Sequence, residues 1–208
     1  GEIYAERIGK MAEETGCPIH ICHVSTRGSV RLIREARKRG VPVTCETAPH
    51  YFSLDDSAVR TGDPNAKVNP PLRTQADVRA IRQGIADGTI DAIATDHAPH
   101  TEEDKAGGFG KAAFGLIGFE TAYSLAETHL VHAGLISEKR LVELMSIRPR
   151  EILGLSGGLR EGGTADITIC DPEMEYVYDL ESVVSKSKNS PFLGKKMFAQ
   201  SKCRKRAE

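Results

Sequence analysis

Short apolar, β-rich runs alternate with helical stretches through the first half of the chain, and this alternation limits the fold more than any other feature. Apolar residues at helical spacing (Ile3, Ile8, Met11, Ala12) predict a helix over residues 3–15, stopped by Gly16. Residues 18–24 then predict a buried strand. Ser25 or Thr26 can cap a helix over 29–39, which Gly40 closes. Residues 41–47 predict a second strand, and a polar loop rich in Pro follows. A helix from Thr74 to about Asp87 leads into a third strand over 90–95. Helix and buried strand in turn are the mark of an α/β fold with a parallel sheet. Parallel strands this apolar should be covered on both faces.

Residues 101–115 form a charged, Gly-rich loop directly after the third strand, and loops of that length in compact domains tend to carry function. Helices are expected over 116–134, 137–146 and 149–155. After Gly157 and Gly158 the character changes, and residues 165–170 alternate like a half-exposed strand. This places a boundary near Leu155, between a unit at 1–155 and another at 156–208. The basic stretch 186–206 is expected to be a solvated tail.

Three polar clusters fall at the carboxyl ends of the three expected strands: His20 and His23 with Ser25, Glu46 with His50, and Asp96 with His97 and His100. Parallel sheets and barrels put their active sites at that edge. Histidine and carboxylate together suit zinc or a related divalent ion, which offsets the cost of burying each of them alone. The spacing is not a helical His-Glu-x-x-His pair, so a metal hydrolase and a non-metal α/β protein with satisfied histidines both remain open from pattern alone. Strand periodicity sends His20 and His23 to opposite faces. His23 lies nearer the strand end and is the better ligand, and His20 is expected to be structural or exposed. Asp96 ends the third strand as a candidate functional carboxylate. Cys22 and Cys45 are expected to be core fillers.

Lys and Arg number 28 against 29 Asp and Glu, which argues against a nucleic-acid or membrane-surface role resting on bulk charge. Five scattered Cys with no C-x-x-C pair fit reduced thiols in the cytoplasm. The chain opens at Gly1 with no apolar signal segment, which suggests a piece of a longer cytoplasmic protein.

At these residues the chain resembles bacterial-type (class I) dihydroorotases of the amidohydrolase superfamily. The likeness is carried by His20-Ile-Cys-His-Val-Ser-Thr26, Val43-Thr-Cys-Glu-Thr-Ala-Pro-His50, Val68-Asn-Pro-Pro-Leu-Arg73, Thr95-Asp-His-Ala-Pro-His100, Ala113-Phe-Gly-Leu-Ile-Gly-Phe-Glu-Thr-Ala122 and Ser185-Lys-Ser-Lys-Asn-Ser-Pro-Phe-Leu-Gly194. It implies the C-terminal part of a (β/α)8 TIM-like barrel, about strands six to eight, followed by part of a small β-sandwich. It implies zinc as cofactor, one or two ions, and the reversible cyclisation of N-carbamoyl-L-aspartate to L-dihydroorotate in pyrimidine biosynthesis. By the same resemblance His23 and Asp96 bind metal and Asp96 is the catalytic base and acid. Asn69, His100, Phe114 and Gly115 contact the substrate, and His50 is not a metal ligand. The family's His-x-His pair and its other ligands have no match here, so the chain by itself is expected to be inactive and to bind metal poorly. A homo-oligomer, or the missing N-terminal half, is the expected partner. The segment after Phe198 departs from the family's closing sandwich strands. A hydantoinase- or allantoinase-like enzyme and a non-catalytic half-barrel are the competing possibilities, and Asn69 and His100 speak against the first of these.

Overall fold

The computed structural model describes residues 2–155, 157–163 and 166–206. Helix α1 (Glu2–Thr15) leads to β1 (Ile19–Ile21), and α2 (Arg27–Lys38) leads to β2 (Val43–Thr47). Two short helices follow, α3 (Pro49–Ser53) and α4 (Ser57–Arg60), then α5 (Gln75–Ala86) and β3 (Ala92–Ile93). The strands form a parallel sheet in the order β1-β2-β3, with Ile21 opposite Cys45 and Thr47 opposite Ile93. The α/β expectation therefore holds, and Thr26 caps α2 by accepting the Ser29 N–H.

The strands are shorter than their apolar runs. At Cys22 the chain leaves the ladder, and His23 takes a left-handed φ of 55°. Hydrogen bonds continue past the strand ends, from Val24 N–H to the Glu46 carbonyl and from Ala94 N–H to the Thr47 carbonyl. One face of the sheet carries Ile21, Val43, Cys45 and Ile93 against Val30 and Ile33 of α2 and Ile81 and Ile85 of α5. Burial along β2 alternates, so Thr44 and Glu46 lie on a half-exposed opposite face. Coverage on both faces is thus not met among the described residues. Helix α1 contacts the core through Ala5, Gly9 and Ala12, while Ile3 and Met11 are exposed.

The expected helix over 116–134 starts late. Gly118 presses on the Thr95 carbonyl, where a Cβ would come within 2.5 Å, and Leu116 bridges to His97. The chain therefore follows β3 before turning into helix. The short helix α6 (Glu102–Lys105), closed by a Thr101–Asp104 capping box, precedes α7 (Ala122–Ala126), which a π turn over Glu127–Val131 extends. Helices α8 (Glu138–Val142) and α9 (Arg148–Ile152) were expected to be separate but run on through a second π turn, Glu143–Ile147. Pro149 falls in the first turn of α9, where a missing N–H costs least.

Beyond 166 the basic stretch is not a free tail. Strands β4 (Asp166–Tyr178) and β5 (Lys195–Arg206) pair antiparallel, with irregularities beside Ile169 and between Asp171 and Glu175. Alternation explains it: Met197 and Ala199 are buried while Lys196 is exposed and Phe198 half-buried, and Lys196 pairs with Glu175 at 2.7 Å. Tyr178, Phe192 and Met197 join Leu116, Ile117 and Leu125 in a second apolar cluster. No helix among the described residues is long and apolar enough to cross a membrane.

Candidate active site

The half-exposed face of the sheet and the carboxyl ends of its strands carry the polar clusters. β1 delivers His20, and the turn after it delivers His23. β2 delivers Glu46, and the start of α3 delivers His50. Asp96 follows β3 with a φ of 49°. Left-handed backbone is uncommon away from Gly, though His and Asp tolerate it better than most residues. Here it swings both side chains inward. His23 Nε2 lies 3.5 Å from Asp96 Oδ1 and 3.6 Å from Glu46 Oε1. The two residues converge although β2 separates their strands.

This turn also corrects the expectation that His20 and His23 diverge. Both approach Glu46, His20 Nε2 at 3.5 Å from Oε2. Periodicity applies only as far as Ile21, and His23 has already left the strand.

His50 sits beneath Asp96, 1% exposed, with Nε2 at 3.5 Å from Asp96 Oδ2 and no hydrogen bond at either ring nitrogen. Burial holds its pKa down to about 3, with His23 pushing the same way, so the ring stays neutral. Burial pushes the Asp96 carboxyl up from the usual range, and His23 opposes it in part. A carboxylate whose pKa is raised is a better proton acceptor than an ordinary one.

His97 is committed elsewhere. Its Nδ1 accepts the N–H groups of Gly118 and Phe119 at 3.1 and 3.2 Å, and its ring stacks on Phe119 at 3.8 Å. His100 donates from Nε2 to the Phe114 carbonyl at 2.9 Å, which holds the 101–115 loop closed on itself. Gly115 donates its N–H to the Lys67 carbonyl, and its φ of 132° and contact with Ala98 leave no room for a side chain. Phe114 is exposed beneath the Lys67 ammonium, 4.6 Å from the ring centroid. Asn69 is exposed and opens a cis peptide bond to Pro70. Lys67 is tied to Gly115, and the Pro70 carbonyl accepts from Tyr51 Oη at 2.8 Å, so the Asn69 loop runs between the 115 turn and the His50 helix.

Sequence reasoning missed Asn189. It is buried, accepts the His100 N–H at Oδ1, and donates from Nδ2 to the carbonyls of Ala98 and Gly115. Its position in a Ser- and Lys-rich stretch carried no periodic signal. Asn189→Leu keeps the heavy-atom count and branching and removes this partner from the His100 N–H and the Ala98 carbonyl, while the Gly115 carbonyl keeps the Lys105 ammonium, so it should lower stability by about 2 kcal/mol, read as a lower urea midpoint at unchanged m.

His23 and Asp96 fit a divalent cation. A ring nitrogen faces two carboxylate oxygens at distances too long for strong hydrogen bonds, and nitrogen with oxygen is a zinc-type donor set.

Parallel strands with His and Asp gathered at their carboxyl edge are an arrangement suited to hydrolysis, and the amidohydrolase family model matches residues 4–204. The chain belongs to the amidohydrolase family. It is 58% identical over 188 residues to a dihydroorotase of Geotalea daltonii, covering 90% of this chain and 44% of that protein. It is 52% identical over 187 residues to a dihydroorotase of Thermoanaerobacter sp., covering 90% and 43%. Among solved structures it is similar to the L-hydantoinase of Arthrobacter aurescens, with a TM-score of 0.90 and 30% identity over 99% of this chain and 47% of that one. The D-hydantoinase of Thermus sp. superposes with a TM-score of 0.89 at 23% identity over 98% and 46%, which speaks for the fold alone. The chain thus spans a little under half the length of the curated relatives it matches.

Proposed function

We propose that this chain is part of a dihydroorotase, which interconverts L-dihydroorotate and N-carbamoyl-L-aspartate in the cytoplasm. The observation that carries the reading is the Asp96 carboxylate, held 3.5 Å from both His23 and His50 at the carboxyl edge of a parallel sheet. Identities of 52–58% to dihydroorotases favour this substrate over a hydantoin. Residues 1–155 are the C-terminal portion of the barrel, about strands six to eight, and 156–208 a partial β-sandwich segment.

His23 and Asp96 are the residues that would hold zinc. When bound, zinc supplies Lewis acidity, polarising an amide carbonyl and acidifying water. Asp96 acts as the proton carrier. In hydrolysis it takes the proton from the attacking water and returns it to the ring nitrogen as the carbon–nitrogen bond breaks. In cyclisation the same proton runs the other way. His50 lies against Asp96 without a charge of its own, so it does not hold the carboxyl ionised. Asn69 orients the substrate's polar edge, and His100, through the Phe114 carbonyl, sets the Phe114–Gly115 backbone against its ring.

The test uses the full-length enzyme and compares dihydroorotate with hydantoin. Preference for hydantoin would overturn the reading. Asn69→Ala should raise KM for dihydroorotate several-fold, the value of one or two neutral hydrogen bonds, with metal content unchanged. Loss of metal in that variant would show that the role is wrong.

A further inference from the structure

His20 and Cys22 have no part in the chemistry proposed above, yet one ligand atom of each lies within 4.8 Å of the other and of Glu46. The sheet explains how they meet. His20 pairs with Thr44 across β1 and β2, period two places Glu46 beyond Thr44 on the same side, and Cys22, where the chain leaves the ladder, brings its thiol to both. The Thr44 hydroxyl donates to the Ile19 carbonyl at 3.4 Å and accepts from His20 Nδ1 at 2.8 Å. With the Thr44 hydroxyl proton on the Ile19 carbonyl, Nδ1 is the donor of that bond, and Nε2 faces Glu46 Oε2 at 3.5 Å. A direct charge-assisted hydrogen bond between the two would close to about 2.7–2.9 Å. The longer separation instead suits two acceptors turned toward a shared cation. A histidine anchored through Nδ1 with Nε2 free is how proteins orient a metal-binding imidazole. Nitrogen, sulfur and carboxylate oxygen together select ions of borderline softness such as zinc, and disfavour magnesium or calcium.

We infer that His20, Cys22 and Glu46 form a second site for a divalent transition-metal ion of the zinc class, distinct from the His23–Asp96 pair. Glu46 faces both places, with Oε1 toward His23 and Oε2 toward His20. The inference does not rest on the dihydroorotase reading. It amends the expectation of poor metal binding, which counted only His23 and Asp96.

Cobalt(II) titration of the metal-free protein tests it, read by the near-ultraviolet thiolate-to-cobalt charge-transfer band, with bound metal counted after gel filtration. The folded wild type should develop a saturable band. Cys22→Ser should abolish it; Cys22 is exposed, and circular dichroism checks that the fold is kept. His20→Gln and Thr44→Val should each weaken cobalt binding at least about tenfold. Asp96→Asn should leave the band intact. No band in the folded wild type, a band that survives Cys22→Ser, or a band lost in Asp96→Asn would overturn the second site. None of these readouts depends on turnover, so failure of the substrate assignment is scored separately.

Discussion

Asp96→Asn should lower dihydroorotate turnover by at least about 10²-fold in both directions in the full-length enzyme, because positioned acid–base work is worth roughly 10²–10⁴-fold. The substitution keeps the shape of the side chain and removes its basicity. Shape matters here, since the residue sits in left-handed backbone with His23 on one oxygen and His50 on the other, each at 3.5 Å. An amide in that place still faces His23 and His50 but cannot carry a proton. Measurement in both directions separates the proton carrier from a residue that only binds one substrate, which would change KM for one partner of the equilibrium. Near-normal kcat both ways would remove Asp96 from the chemistry.

The first half of the fold was legible because its elements obey one period each. Val30, Ile33 and Ala36 repeat as a helix face, and Val43 and Cys45 alternate as a strand. His23, Glu46 and Asp96 were legible as site candidates by place alone, each at the carboxyl end of an apolar run. Their aim was not. It depends on two positive φ values that no residue pattern encodes, since His and Asp adopt ordinary backbone far more often. The same turn made the two-face argument fail for His20 and His23.

The second half was less legible for a different reason. Its signals are tertiary. Residues 116–121 are apolar enough for a helix, but Gly118 is drawn onto the Thr95 carbonyl and the helix waits until Ala122. The π turns after α7 and α8 insert one extra residue per turn, a register change that helical periodicity cannot anticipate. The β5 segment looked like a tail because its lysines outweigh Met197, Phe198 and Ala199 in composition. Pairing with β4 and burial of Met197 and Ala199 decide otherwise.

Phe192→Ala follows from that misjudged segment and should cost about 3–5 kcal/mol, the usual range for emptying a buried aromatic site. Phe192 is 1% exposed, in one cluster with Tyr178 and Met197 from the C-terminal strands and Leu116 and Ile117 from the segment after Gly115. Those neighbours are tied to the site. The Leu116 carbonyl accepts the Ala98 N–H, and the Ile117 N–H donates to the Asn189 carbonyl. A cavity there loosens the backbone that holds His100 and Gly115 as well as the β4–β5 pair. The loss should therefore appear as one cooperative urea transition moved to lower denaturant. The Phe192 ring also carries the Lys195 ammonium at 5.5 Å, but that contact is partly solvated and adds less than the packing. Two separable transitions, with only one of them shifted, would show that the strands beyond Leu155 fold on their own and that their packing does not support the site.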